Sequence, residues 1–194
     1  MTNYILYLAK RRYGMKTKTM IICALFAAVM CVFSVMTIPT GIVPVTMGFL
    51  GVFLVAVILG PKKGTVSVAV FILLGAVGLP VFSGFKGGVG VLIGPTGGYI
   101  WSYIIMALFI GLLTAKVPEN KWLAMLKIFL VCIGAAVIGY ALGTVQFMLV
   151  RQVSWGTALT MCVLPFIPFD IAKAAIAAYA GYTVRQALIR AKLV

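Results

Sequence analysis

The chain has 194 residues, 64% of them hydrophobic and only 9% charged, against about 45–50% and about 25% in a soluble globular domain. That balance excludes a soluble enzyme or binding module and assigns the chain to the integral membrane proteins. The formal net charge of +14 is not a nucleic-acid signal, because the cations stand in short clusters between apolar runs rather than on one basic surface.

Residues 1–18 carry Lys10, Arg11, Arg12, Lys16 and Lys18 ahead of an apolar run over 19–38. A basic start before such a run is the pattern of a signal peptide. This run, however, has no obvious cleavage site and is long enough for a spanning helix. Within it Ala24 and Ala28, with Ala27 beside them, form a small-xxx-small pair that lets a second helix approach closely. The same alanines would serve equally in an ordinary lipid-facing helix.

A short uncharged link at 39–46 leads to a second apolar run ending at Gly60, and Pro61-Lys62-Lys63-Gly64 makes a basic turn. A third run, over 64–79, is somewhat short for a span. Residues 80–98 then form the longest break, rich in glycine. No G-x-x-x-x-G-K-[ST] pattern occurs there or at Gly60-Pro61-Lys62-Lys63-Gly64-Thr65, so there is no Walker A loop. A dinucleotide fingerprint would need a flanking strand and a βαβ unit, which this composition does not supply. Glycines alone would make a flexible connector. Here Phe82, Phe85, Val89, Val91, Leu92 and Ile93 interleave them, and apolar side chains are costly to expose. The loop is therefore expected to fold back over the bundle as a lid.

The fourth run covers 99–115 and is followed by Lys116, Glu119, Lys121 and Lys127; the fifth, about 128–150, holds Gly139 and Gly143 at GxxxG spacing. Arg151 alone marks the next link. The sixth run begins near Pro168, ends around Tyr182 and is followed by Arg185, Arg190 and Lys192. Six spans fit this pattern in an all-α bundle forming a single domain over 1–194. Every cation except Lys86, Arg151 and Lys173 falls at the N-terminus, the second or fourth link, or the C-terminus. By the positive-inside rule both termini are then cytoplasmic, and the 80–98 loop and the approach to Asp170 are external.

Asp170 and Lys173 carry the functional signal. Asp170 is one of only two acidic residues, and Lys173 is the only cation inside an apolar run. Each would cost about 2.5–3.5 kcal/mol at mid-bilayer, so ions at that depth mark function by default. At i and i+3 they share a helical face. Pro165 and Pro168 break the chain just upstream, so a helix starting near Phe169 points free N–H groups into the same space. The pair suits a small ligand bearing a carboxylate and a few hydrogen-bonding groups; the bland alternative is that the two charges only neutralise each other. The absence of histidine removes the commonest general base and metal ligand. Cys23, Cys31, Cys132 and Cys162 lack CxxC spacing, so they read as structural thiols. With no nucleophile–base pair, the chain is not expected to be an enzyme, and nothing in it calls for a cofactor or metal.

Leu79-Pro80-Val81-Phe82-Ser83-Gly84, Gly87-Gly88-Val89-Gly90 and Gly94-Pro95-Thr96-Gly97-Gly98-Tyr99 resemble the signature of the biotin-specific substrate-binding subunit (S-component) of energy-coupling-factor (ECF) vitamin transporters. Pro44-Val45-Thr46, Leu59-Gly60-Pro61 and Asp170-x-x-Lys173 extend the resemblance over most of the chain. Gly48 stands where the family pattern has a polar residue, often Gln, and Phe169 where it has Gly. The resemblance implies a six-helix protein of a bacterial plasma membrane that binds biotin from outside. It also implies a transmembrane coupling subunit and two cytosolic ATPase subunits as partners, in keeping with the missing ATP-binding motif. On that reading Asp170 accepts from the ureido N–H groups of biotin and Lys173 pairs with its carboxylate. The reverse orientation, and Lys86 as the carboxylate partner, stay open. Thr96, Tyr99 and the backbone of Gly97 and Gly98 would add hydrogen bonds, Phe85 would cover the apolar ring, and Ala24 and Ala28 would meet the coupling subunit. The rival class is a stand-alone secondary permease for a small carboxylate-bearing solute, disfavoured because the halves show no inverted repeat.

Overall fold

The structure, a computed structural model, describes residues 2–38 and 44–191, with side chains from residue 17 onward. The basic side chains at Lys10 to Lys16, the link at Pro39-Thr40-Gly41 and Lys192 lie outside the described residues. In chain order the elements are α1 (Thr2–Val35), β1 (Thr37–Ile38), β2 (Val45–Thr46), α2 (Gly48–Ala76), α3 (Val89–Ile93), α4 (Gly97–Leu113), α5 (Lys121–Arg151), α6 (Trp155–Cys162) and α7 (Ile167–Arg190). Segment Thr17–Val35, α2 and α5 are each long and apolar enough to cross a bilayer, and α6 with α7 forms a further apolar pair bent by 50°. At 17 residues, α4 is the shorter apolar helix, about 26 Å long.

The centre of the bundle is α2, and it is not straight. Gly60 lies at φ +74°, a conformation that side chains rarely adopt, and Pro61 follows it without an N–H to continue the ladder. A Cβ on Gly64 would stand 3.2 Å from Ala56 Cα, whereas eight residues of continuous helix rise about 12 Å. The chain therefore folds back, and limbs 48–60 and 61–76 are the two apolar runs expected on either side of the basic turn. The rings of Phe49 on the first limb and Phe71 on the second both reach Tyr103 of α4, at 5.9 and 6.4 Å. Val52, Phe53, Val55, Ala56 and Val57 are all fully buried, because the first limb has α1, α4, α7 and its own second limb around it.

The two ends of the bundle differ in chemistry. Around the reversal at Gly60 lies the C-terminus of α4, with Gly111 packed on Pro61. Arg185 donates to Thr114 O at 2.6 Å and Ala115 O at 3.1 Å, and Lys127 to Lys116 O at 2.7 Å, so cations satisfy carbonyls beyond the last turn of α4. At the other end are the β1–β2 pair, with Thr37 opposite Thr46, and residues 77–96.

Those residues form a flap folded onto the bundle. Phe82 is fully buried, its ring edge-on to Phe71 at 5.6 Å in the notch left by Gly75, where a Cβ would overlap it. Gly88 N–H donates to Gly75 O at 2.7 Å, and Gln146 of α5 donates to Leu92 O at 2.9 Å and Gly94 O at 2.8 Å.

Two helices differ from the sequence expectation. α6 occupies the link after Arg151; eight residues give too little periodicity to register, although Ser154 caps it by accepting from Thr157 N–H at 3.4 Å. The fifth helix starts at Lys121 rather than near Ile128, because Asn120 accepts from Trp122 and Leu123 N–H and carries the helix past its apolar stretch. Gly139 and Gly143 seat the rings of Phe49 and Tyr99, so the GxxxG spacing packs internal aromatic side chains.

Candidate ligand-binding site

Asp170 lies in the first turn of α7, its N–H donating to Phe166 O, and Lys173 follows on the same face. Lys173 Nζ donates to Asp170 Oδ1 at 2.6 Å and to Thr46 O at 2.7 Å, while the Tyr140 hydroxyl of α5 donates to Asp170 Oδ2 at 2.5 Å. Asp170 is 5% exposed and Lys173 4%. Burial of an ion pair at this depth costs solvation that only good geometry and extra hydrogen bonds offset, and both are present.

The pair is not sealed in packed hydrocarbon. It lines a cavity whose other walls come from every part of the bundle: Ser34 of α1, Thr46 of β2, Phe49 of α2, Ser83 and Thr96 of the flap, Tyr99 and Tyr103 of α4, and Phe166 before α7. The cavity offers about 70 Å³ to the centre of a water-sized sphere, and about 600 Å³ of space between atoms once the open solvent at its mouth is counted. Phe49 is the aromatic centre, with Tyr99, Tyr103 and Tyr140 at 6.5, 5.9 and 5.8 Å. One end of this cavity is therefore ionic and the walls are aromatic, a division that suits a ligand with a polar head on an apolar body.

Hydrogen-bond capacity sharpens the chemistry. An ammonium has three donors and a carboxylate about four acceptor positions. The bonds above leave Lys173 one N–H and Asp170 two acceptor positions. Acceptor and donor stand side by side, 2.6 Å apart.

Of the residues singled out in the sequence, Asp170, Lys173, Thr96 and Tyr99 converge on this cavity. The Tyr99 hydroxyl donates to Cys162 O at 3.1 Å, with Thr144 Oγ1 at 3.4 Å, tying α4 to α6 while its ring stays in the wall. Gly97 and Gly98 lie outside the wall. Gly97 N–H donates to Gly94 O, and a Cβ on Gly98 would stand 2.5 Å from Leu142 O and 2.8 Å from Gln146 Cβ. Gly98 is needed for the close approach of α4 to α5, and Gly97, where a Cβ would overlap Leu92 O, for that of α4 to the flap. Phe85 and Lys86 are exposed at the flap tip, Phe85 at φ +57°. Ala24 and Ala28 are exposed on α1, whereas Ala27 is turned inward and buried.

Sequence reasoning missed Tyr140, Tyr103, Phe49, Phe166, Thr46 and Ser83. Tyr140 had one usable signal, since a phenol deep in an apolar run needs a partner for its hydroxyl. Thr46 acts through its backbone, which no side-chain pattern reveals. The Tyr103 hydroxyl takes up the space that a side chain at Gly48 would need. The described residues contain no cluster of three or more His, Cys, Asp or Glu side chains able to hold a metal.

With this geometry in hand, comparisons with known proteins agree on one relationship. A family model described as the BioY family matches residues 8–190. The chain is 41% identical over 164 residues to the biotin transporter BioY of Thermotoga maritima, covering 83% of this chain and 92% of that protein. It is 34% identical over 173 residues to the biotin transporter BioY2 of Lactococcus lactis, covering 89% and 93%. Among solved structures it is similar to a crystal structure of the S-component for biotin from an ECF-type ABC transporter, with a TM-score of 0.78 and 27% identity over 89% of this chain and 93% of that one.

Proposed function

The chain belongs to the BioY family, and on that premise we propose that it binds biotin from the external side of a bacterial plasma membrane and delivers it to an ATP-driven ECF transporter. The single observation that carries this reading is the buried Asp170–Lys173 pair, retaining hydrogen-bond capacity at the end of an aromatic-walled cavity roofed by a flap.

The geometry favours one orientation of the ligand. The ureido ring and carboxylate of biotin stand at opposite ends of the molecule, so groups 2.6 Å apart cannot each take a different end. A carboxylate on Lys173 would also press against Asp170 with like charge. A ureido edge offers an N–H next to a C=O, complementary to the acceptor of Asp170 and the remaining donor of Lys173. The head of biotin therefore binds the pair, its thiophane ring meets Phe49 and the tyrosines, and its carboxylate points toward the flap. Thr96 meets the tail at the rim. Gly97 and Gly98 set the rim's position. Phe85 and Lys86 meet the tail when the flap closes.

The topology follows from counting the limbs of α2 separately. With α1, α4, α5 and α7 they make six crossings, in one substrate-binding domain. The cation-rich end around Lys62, Lys63, Lys116 and Arg185 is then cytoplasmic, with both termini. The cavity opens outward. Ala24 and Ala28, exposed on α1, form the close-approach face for the transmembrane coupling subunit, and two cytosolic ATPase subunits supply the energy this chain has no motif to capture.

The test is calorimetry with purified protein and biotin. Tight binding by the wild-type chain, lost in Asp170→Asn with the fold intact, is the expected result. Absence of heat from well-folded wild-type protein would sink the reading.

A further inference from the structure

Two side-chain hydroxyls among the described residues are buried without a hydrogen-bond partner, Thr65 Oγ1 and Ser83 Oγ, and of these Ser83 lies on the cavity wall. Its setting is specific. Phe82, the preceding residue, is locked into the notch at Gly75, and Phe82 N–H donates to Lys86 O at 2.9 Å, closing a tight turn. Gly84 at φ +69° and Phe85 at φ +57° then carry the chain outward. The anchor and the turn together hold Ser83 on the cavity side while the tip of the flap stays exposed. A hydroxyl withdrawn from water without a replacement bond is unfavourable in the empty protein, and native structures rarely keep one without a reason.

We infer that Ser83 is a ligand contact that nothing else assigns: its hydroxyl donates to the carboxylate end of the bound ligand and ties the flap to it. The inference rests on the biotin reading and on the head of the ligand being held by Asp170 and Lys173. Among the cavity-lining residues the ions are used at the head, and Lys86 reaches the tail only from the exposed flap tip, so the wall itself has hydroxyls to offer the tail; Ser83 is the one among them whose oxygen is both buried and free. A carboxylate is also the acceptor that a neutral hydroxyl serves best, since hydrogen bonds to charged groups are the strong ones. Binding would then satisfy a group that the empty flap leaves unsatisfied. That gives the ligand a differential interaction with the closed flap, which any ligand-driven closure requires.

The experiment compares wild-type, Ser83→Ala and Ser83→Cys full-length protein in calorimetry with two ligands: biotin, and a biotin analogue whose carboxylate is replaced by a methyl group. Thermal unfolding of each ligand-free protein is measured alongside. The expected result is that Ser83→Ala and Ser83→Cys bind biotin about tenfold to a hundredfold more weakly. Both should bind the methyl analogue as wild type does, and Ser83→Ala should be as stable as wild type without ligand, or slightly more so. Unchanged biotin affinity overturns the inference. So does an equal loss for both ligands, or a fall in ligand-free stability, because a merely structural hydroxyl would produce those. If wild-type protein itself fails to bind biotin, the underlying reading falls and the inference with it; if wild type binds and the variants match it, only the inference falls.

Discussion

The two ends of this bundle are built from the same kinds of residue and use them differently. At the cation-rich end, Arg185, Lys127 and Asn120 donate to or accept from the backbone around the C-terminus of α4 and the N-terminus of α5. Each of these side chains completes a helix end. At the cavity end, Lys173 and Asp170 bond each other and keep capacity in reserve, Ser83 Oγ has no described partner, and Thr96 occupies the N-cap of α4 without capping it through its side chain. Polar groups that finish secondary structure stabilise the chain; polar groups left with unmet capacity in a cavity are available to a ligand.

Breaking the cavity end should have the largest effects. Lys173→Ala leaves a buried carboxylate without its counter-ion, a change that costs about 3–5 kcal/mol in comparable pairs. Thermal unfolding should fall accordingly, and biotin binding by calorimetry should be lost. Asp170→Asn is the cleaner variant, expected to stay folded and to weaken biotin by more than about a hundredfold, the loss that follows from about 3 kcal/mol. If both variants bind as wild type, the pair is an inert neutralised couple.

The second test separates binding from transport. Trp in place of Ala24 or Ala28 adds bulk to an exposed stripe of α1 that touches nothing in the cavity. Uptake into cells or vesicles with the complete transporter should be abolished while biotin affinity is retained. Loss of affinity as well would mean that α1 packs differently from the arrangement described. Tyr140→Phe comes third. It removes one donor to a buried carboxylate, a bond to a charged group of about 1.5–3 kcal/mol, and should lower biotin affinity about tenfold or more.

The smallest effect belongs to the other end. Arg185→Ala removes two bonds to carbonyls after α4, each contributing about 0.5–1.5 kcal/mol net for a neutral donor and somewhat more for this one. Unfolding should shift down by a few degrees with biotin affinity unchanged. A drop in affinity from this distant substitution would show that the two ends are coupled, and would undo the contrast between them.

Particular residues show why some of this was readable in one dimension. The break at Pro61-Lys62-Lys63-Gly64 was legible because proline, glycine and paired lysines interrupt an apolar run by local rules alone. Asp170 and Lys173 were legible because ions in an apolar helix are expensive wherever the helix sits. The flap's return to the bundle could be anticipated from Phe82 and its apolar neighbours. α6 could not, since its eight residues pack through Ala158 and Cys162 onto Phe147 of α5. Nor could the contrast between Ser83 and Phe85, two flap residues of which one lines the cavity and the other is exposed.

What the linear order of residues determined by itself was the class of protein, its apolar segments and the identity of the two ions within its last apolar run. Each follows from transfer free energy or from local backbone stereochemistry, which need no knowledge of neighbours. What only the tertiary structure decided was the company those ions keep: Tyr140 from α5, the Thr46 carbonyl from β2 and Ser83 from the flap. Contacts between segments tens of residues apart are chosen by how glycine notches and aromatic rings pack across helices, and that fit exists only once the chain has closed on itself.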